Sequence, residues 1–311
     1  MLQDELATIL IAGANPTGGW GYLSGNGSRI EPTCWALLAL AGSEPAGPLG
    51  PQSPRNPLNP LNNDVHFRFL SSCQRPDGLL SDRPEFPANL SWTALAFLTL
   101  SALSSSTETN AVSGRLVGAM TETAGLQLPN DATFRQNNML KGWPWMPETF
   151  SWVEPTSWCL LALKRAIRTV PARATDAIRS RITDGEALLV DRVCASGGWN
   201  FGNANAFGTN LPAHVPTSAL GLLALQDKRD LPAVRRSLAF VEEHWKKELS
   251  GGALALSLLC LKIYGRPTSE VEAAIADQWQ HTRFLGNLAT TSMVRCALTM
   301  SSSAKAALSL Q

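Results

Sequence analysis

Ser151-Trp152-Val153-Glu154-Pro155-Thr156-Ser157-Trp158-Cys159-Leu160-Leu161-Ala162-Leu163 decides the fold, because the chain keeps rewriting it. Arg29 to Leu40 reads Arg-Ile-Glu-Pro-Thr-Cys-Trp-Ala-Leu-Leu-Ala-Leu, and Val215 to Leu225 reads Val-Pro-Thr-Ser-Ala-Leu-Gly-Leu-Leu-Ala-Leu. A weaker copy runs from Ser91 to Leu100, and eroded ones end at Leu261 and Met300, which makes six. Ahead of the better copies stands a glycine followed by an aromatic or apolar residue. Gly18-Gly19-Trp20 and Gly142-Trp143 each place their tryptophan thirteen residues before a threonine, Thr33 or Thr156. Asp77-Gly78-Leu79-Leu80 keeps nearly that distance from Thr93, whereas Gly197-Gly198-Trp199 stands several residues further from Ser218. Self-similarity at a recurring interval marks a repeat architecture.

Each apolar copy is hydrophobic on nearly every side, the pattern of a helix buried all round. Between the copies lie amphipathic stretches, Gln3 to Ala12, Asp64 to Gln74, Asn110 to Glu122, Thr175 to Val193, Leu231 to Lys247 and Ser269 to His281. Six amphipathic and apolar pairs predict an all-α protein, a single (α/α)6 toroid of six helical hairpins with an inner apolar ring and an outer amphipathic ring. The toroid is expected over residues 1–300, with a Pro-rich insertion at 44–63 and a C-terminal tail at 301–311. In the insertion a proline recurs at every third position from Pro45 to Pro60, which suits a stiff polyproline II connection. Because the chain goes out and back in each pair, the loops leading into the inner helices gather round one mouth. Six inner-helix N-termini bring partial positive charge to it.

Composition narrows the functional classes. Over 311 residues, 44% are apolar and 16% charged, with a formal net charge of +1. Ordinary domains carry about 25% charged residues, so the surface is sparse in charge and has no basic field for nucleic acid. The first residues lack the basic start of a secretory signal, and no apolar run reaches the ~18 residues of a membrane span. A cytoplasmic protein is expected, with peripheral membrane contact left open. The six cysteines stand singly, without a Cys-x-x-Cys pair, and read as reduced packing residues.

The repeats resemble those of the terpene cyclase and protein prenyltransferase superfamily, the squalene-hopene cyclase-like α/α toroids. Phe69-Leu70-Ser71-Ser72-Cys73-Gln74-Arg75-Pro76-Asp77-Gly78 is similar to the Gln/Trp repeat of those cyclases, and Gly18-Gly19-Trp20-Gly21-Tyr22 and Gly197-Gly198-Trp199-Asn200-Phe201 to its glycine-tryptophan half. The resemblance covers the chain through Met300. It implies acid-initiated (class II type) cyclisation of a linear isoprenoid, without a cofactor. Class II cyclases use an Asp-x-Asp-Asp-Thr-Ala segment whose middle aspartic acid protonates the substrate. On that pattern Trp152-Val153-Glu154-Pro155-Thr156-Ser157 puts Glu154 at the proton donor and keeps the threonine, but has Trp152 and Pro155 where the family has Asp. Arg29-Ile30-Glu31-Pro32-Thr33-Cys34 makes Glu31 a second candidate. Glu-Pro-Thr is also simply a good helix start, acid near the N-terminus with proline in the first turn.

Trp152, Trp158, Trp143, Trp145, Trp199, Phe201 and Trp35 are the candidate substrate-binding residues, because aromatic faces stabilise carbocations. For Trp143 and Trp199 an equal alternative is that they wedge loops between helices. Trp35 and Trp158 share one repeat position and either line the lumen or pack between the rings. Tryptophans around Glu154 favour its neutral form by desolvation, while the helix N-terminus favours the anion. An acid of raised pKa donates weakly, so an epoxide or allylic group is easier to ionise than a plain alkene.

Three other readings remain open. A non-catalytic toroid would bind a lipid or a protein. A prenyltransferase-like subunit would bind zinc through Asp191, Cys194 and His214, although the Asp191 to Cys194 spacing departs from that family and no metal site is expected. A polysaccharide-processing barrel would use paired carboxylates. The basic residues Lys164, Arg165, Arg168, Arg173, Arg179 and Arg181 could attract a diphosphate or serve as a solvated helix face. Class II triterpene cyclases normally pair two helical domains, so a single toroid implies a small substrate, a homodimer or helical partner over the mouth, or a protein that binds isoprenoid without turning it over.

Overall fold

The computed structural model describes residues 1–41, 63–104, 106–131, 133 and 135–311. The proline-rich stretch from Pro45 to Pro60 lies outside them. Six outer helices, α1 (Leu2–Ala12), α3 (Asn63–Ser72), α5 (Thr107–Glu122), α7 (Asp176–Asp191), α9 (Pro232–His244) and α11 (Ser269–Thr282), alternate with six inner ones. The inner helices are α2 (Ile30–Leu40), α4 (Leu90–Leu103), α6 (Val153–Thr169), α8 (Val215–Ala224), α10 (Gly251–Tyr264) and α12 (Leu288–Thr299). Each inner helix packs on the next, and α12 packs on α2, so the ring closes. This is the predicted all-α (α/α)6 toroid.

The recurring thirteen-residue interval has a hydrogen bond behind it. Trp20 N–H donates to Thr33 Oγ1 (2.9 Å), Leu80 N–H to Thr93 Oγ1 (3.0 Å) and Trp143 N–H to Thr156 Oγ1 (2.9 Å). In the fourth repeat Trp199 N–H makes the same bond to Ser218 Oγ (2.8 Å) across nineteen residues, the excess being taken up by a hairpin of β1 (Asn205–Ala206) and β2 (Thr209–Asn210). The threonine hydroxyl sits so close to the loop that a Cβ on Gly142 would collide with Thr156 Oγ1, and one on Gly198 with Ser218 Oγ. Gly198 also holds φ +71°, which a side chain disfavours.

The tryptophan rings of these loops point back to the outer helices. Trp20 Nε1 donates to Leu10 O (2.7 Å), Trp143 Nε1 to Met120 O (2.7 Å) and Trp199 Nε1 to Leu189 O (2.6 Å). Each acceptor lies in the last turn of an outer helix, among the carbonyls that have no partner within the helix. Residues two further on tie neighbouring repeats together. Tyr22 O accepts from Leu288 N–H (2.8 Å), Trp145 O from Leu90 N–H (2.9 Å) and Phe201 O from Val153 N–H (2.9 Å), while Asp82 Oδ1 accepts from Ile30 N–H (2.8 Å). Orphan amides at the starts of four inner helices are satisfied in this way.

Residues 301–311 are not a free tail. Helix α13 (Ser302–Leu308) buries Ala304, Ala307 and Leu308, and packs on α4 and α2. Gln226, just past α8, donates to Leu308 O (2.9 Å) and accepts from Leu310 N–H (2.8 Å), so this segment closes the end of the ring opposite the mouth. All six cysteines are free and buried. Two of the basic residues have structural roles. Lys164 Nζ is buried between Glu186 (2.8 Å) and Asp227 (2.6 Å), and the Arg181 guanidinium lies 4.0 Å from the Trp143 ring centre while donating to Thr123 O and Gly142 O.

Candidate functional site

The lumen of the inner ring holds a cavity of about 200 Å³, and the repeat dictates its wall. At the second position of four consecutive inner helices stand Glu31, Ser91, Glu154 and Pro216. One turn deeper, four residues on, the six inner helices contribute Trp35, Leu95, Trp158, Leu220, Leu256 and Met293. Residues four apart lie on one helix face, so a polar tier at the mouth above an apolar tier follows from the interval alone. Trp92, Thr217 and Phe201 complete the wall. Trp35 and Trp158 meet edge to face at 5.9 Å and lie on the lumen side.

An aromatic arc runs round the rim. Trp152 stacks on Trp145 (5.0 Å), Trp145 approaches Phe201 (6.4 Å), and Phe201 meets the His214 ring at 4.9 Å. A groove of about 410 Å³ past Phe201 and Pro216, lined also by His214, Phe240 and His244, adjoins the lumen. Of the sequence candidates, Glu31, Glu154, Trp35, Trp158 and Phe201 come together on the cavity wall, and Trp145 and Trp152 frame its rim. Trp143 and Trp199 do not reach it. They are wholly buried behind the wall, wedged between the rings with their indole N–H groups spent on Met120 and Leu189.

The two carboxyls differ in surroundings. Tyr22 Oη donates to Glu31 Oε2 at 2.6 Å. Burial raises the Glu31 pKa, the tyrosine hydrogen bond opposes the rise, and the Asp82 carboxylate adds to it. Glu154 is pushed up to about 7, first by burial and then by the Glu31 charge; Trp145 and Ser91 lie close enough to temper the rise. Burial shifts both carboxyls toward their neutral forms, and at Glu31 the tyrosine hydrogen bond works against that shift.

Ser91, Tyr22 and Trp92 are site residues the sequence reading missed. Ser91 had a signal, since it occupies the repeat position of Glu31 and Glu154, and Tyr22 had one in its place two residues after Trp20. Of the prenyltransferase-type candidates, Asp191 pairs with Arg192 and accepts from Asn137 N–H, and Cys194 is buried. Among the described residues no three His, Cys, Asp or Glu side chains form a metal-binding group, and no helix is long and apolar enough to cross a membrane.

The fold is a closed ring of six α-helical hairpins with Glu31 and Glu154 at an aromatic mouth. No family matches the chain by sequence, and no curated protein matches it. Among solved structures it is similar to the type II terpene cyclase MstE from Scytonema. The apo form aligns at 14% identity with a TM-score of 0.54, covering 97% of this chain and 97% of that one. A variant in complex with geranylgeranyl dihydroxybenzoate, its substrate, aligns at 13% identity and 0.54, covering 98% and 96%. A variant in complex with the product merosterolic acid A gives 14% and 0.52, covering 97% and 96%. The likeness shows the fold, which this chain shares with type II terpene cyclases over nearly its full length.

Proposed function

We propose that this protein is a terpene cyclase-like isomerase that closes a linear isoprenoid into rings by acid initiation. One arrangement carries the reading: a buried acid, Glu154, its pKa pushed up to about 7 by burial, stands at the mouth of a lumen walled by Trp35, Trp92, Trp158 and Phe201. Glu154 gives its proton to the terminal group of the substrate, leaving a tertiary carbocation. The π electrons of the next double bond attack that cation, and loss of a proton from the final cation to water leaves the ring product. Aromatic faces stabilise the travelling charge by about 2 kcal/mol each where water is excluded. Glu31, held by Tyr22, stands near the initiating end, where its charged form lowers the cost of the first cation.

The single toroid is no obstacle to this reading. MstE, a type II terpene cyclase with a substrate complex, is spanned almost end to end by this chain, so one ring of this length suffices for that enzyme. A second copy or a helical partner over the rim would still find exposed apolar side chains there, Phe201 among them.

The test is incubation of the purified protein with linear isoprenoids, their terminal epoxides and their diphosphates, read by mass spectrometry, beside Glu154→Gln and Glu31→Gln. A cyclised product abolished by Glu154→Gln and weakened by Glu31→Gln is expected. Isoprenoid retained by folded protein without turnover of any substrate would overturn catalysis in favour of a binding toroid. That second reading is favoured by the Trp152 and Pro155 positions, where class II cyclases carry carboxylates.

A further inference from the structure

Two places break the repeat, and they meet. Trp20, Leu80 and Trp199 each stand eight residues past the end of their outer helix, at Ala12, Ser72 and Asp191, whereas Trp143 stands twenty-one past Glu122. The fourth repeat has its own surplus, nineteen residues rather than thirteen between the tryptophan and the hydroxyl that holds it. Neither surplus serves that clamp, which both repeats make in the ordinary way. The two extra segments are joined to each other instead. Phe207 N–H donates to Thr133 O (2.8 Å), and Gln136 Nε2 donates to Asn203 Oδ1 (3.0 Å).

Where they meet lies a pocket of about 190 Å³ that shares no lining residue with the lumen. Leu126, Leu128, Leu140 and Phe150 form its apolar side together with Trp152, whose indole also stacks on Trp145 at the rim. Leu126, Leu128 and Phe150 are each about half exposed, an apolar surface with nothing of this chain over it. The polar side is held in place. Gln136 Nε2 donates to Asn138 Oδ1 (3.0 Å) as well as to Asn203, so two carbonyl oxygens fix which way the amide points. Arg192, only 6% exposed, is paired with Asp191 and donates to Asn137 O (3.2 Å), which leaves this side without net charge. Gln136 Oε1 is buried and has no donor.

We propose that this pocket is a second binding site, for a small neutral planar ring carrying one hydrogen-bond donor, of the indole class. The ring lies against Trp152 and the leucines, and the donor meets Gln136 Oε1. Each property of the ligand follows from one feature. An apolar cavity of roughly 150 Å³ holds benzene, so this one admits one or two rings. Arg192 and Asp191 already satisfy each other, so an ion would lose its water here and gain no partner. A buried acceptor without a donor is unfavourable, and a bound N–H or O–H relieves it. Surplus loops on a repeat scaffold are also where a site is added without disturbing the fold. The proposal does not rest on the cyclase reading, because it needs neither Glu154 nor turnover.

The experiment is calorimetric titration of the full-length protein with indole and with benzofuran, which keeps the shape but replaces the N–H by an acceptor oxygen. Indole is expected to bind at one site, roughly tenfold more tightly than benzofuran. Gln136→Met removes the amide and should bring that ratio close to one. Any loosening of the loop weakens both ligands alike, so the ratio still reports the hydrogen bond. Leu126→Glu changes an exposed position that the core does not need, and should weaken both ligands about tenfold or more by placing a charge in the apolar wall. Met293→Trp, which narrows the lumen, should leave both affinities as they are. No binding, equal affinities, or a preference that survives Gln136→Met overturns the proposal. Binding kept in Leu126→Glu and lost in Met293→Trp would put the ring in the lumen and overturn it as well.

Discussion

At the scale of single residues, Glu154 ties the chemistry to stability. Its carboxyl ordinarily titrates near 4.5 and here is raised to about 7, so between those values the folded protein binds a proton that the unfolded chain has released. Stability is therefore full below pH 4.5 and declines as pH rises toward 7, by roughly 3 kcal/mol in total at 1.36 kcal/mol per unit. Glu154→Gln is expected to unfold at higher urea concentration than the parent at pH 8 and at about the same concentration at pH 4. Activity should follow the same proton and fall above pH 7, so kcat against pH should show a single descending limb there. Tyr22→Phe removes the donor that favours the Glu31 charge. With Glu31 more often neutral, its repulsion of the Glu154 anion weakens, and the descending limb should move to lower pH. An unmoved limb would mean that the two carboxyls titrate independently.

At the scale of elements, the unit is a glycine-tryptophan loop clamped to the start of an inner helix. Thr156→Val keeps the shape but leaves the buried Trp143 N–H without its acceptor, at a cost of roughly 1–3 kcal/mol in urea unfolding. Thr156→Ser, which restores an acceptor, should recover most of that loss. Much of this unit was legible before the structure. The thirteen-residue interval gave the pairing, and proline in the first turn gave the helix starts within a residue or two. The tryptophans were harder, because a single ring type does two jobs. Trp143 and Trp199 serve as wedges whose N–H groups close the outer helices, while Trp35 and Trp158 face the lumen. What separates them is repeat position, not composition: the wedges precede the inner helix and the lining residues stand in its second turn. The same rule would have found Ser91, whose small side chain gave no chemical signal by itself and acquires one only beside Glu154.

At the scale of the whole molecule, closure decides how the ring behaves. Open solenoids can nucleate anywhere and fray at their ends, because each repeat meets only its neighbours. Here α12 packs on α2, Leu288 N–H bonds Tyr22 O, and the Arg295 guanidinium reaches Ala39 O and Gln3 O, so the last repeat completes the first. Residues 301–311 add a second lock that no repeat copy announced, since Ser-Ser-Ser-Ala-Lys-Ala-Ala-Leu-Ser-Leu-Gln has neither the apolar run nor the glycine signature of the other segments. Its place became visible only in packing. Leu308 is wholly buried, and Arg165, Gln226 and Gln311 join this segment to the far ends of α6, α8 and α10. Leu308→Ala is expected to cost 2–5 kcal/mol, the usual range for such a truncation in a packed core. A closed ring shares that loss among all six pairs, so helix content and tryptophan fluorescence should fall in one transition at one urea concentration. If the C-terminal segment only capped one end, circular dichroism would show the inner helices surviving a first, local step. Isoprenoid binding by the folded fraction should be unchanged, because Glu31, Glu154 and the aromatic rim lie at the opposite end of the inner helices.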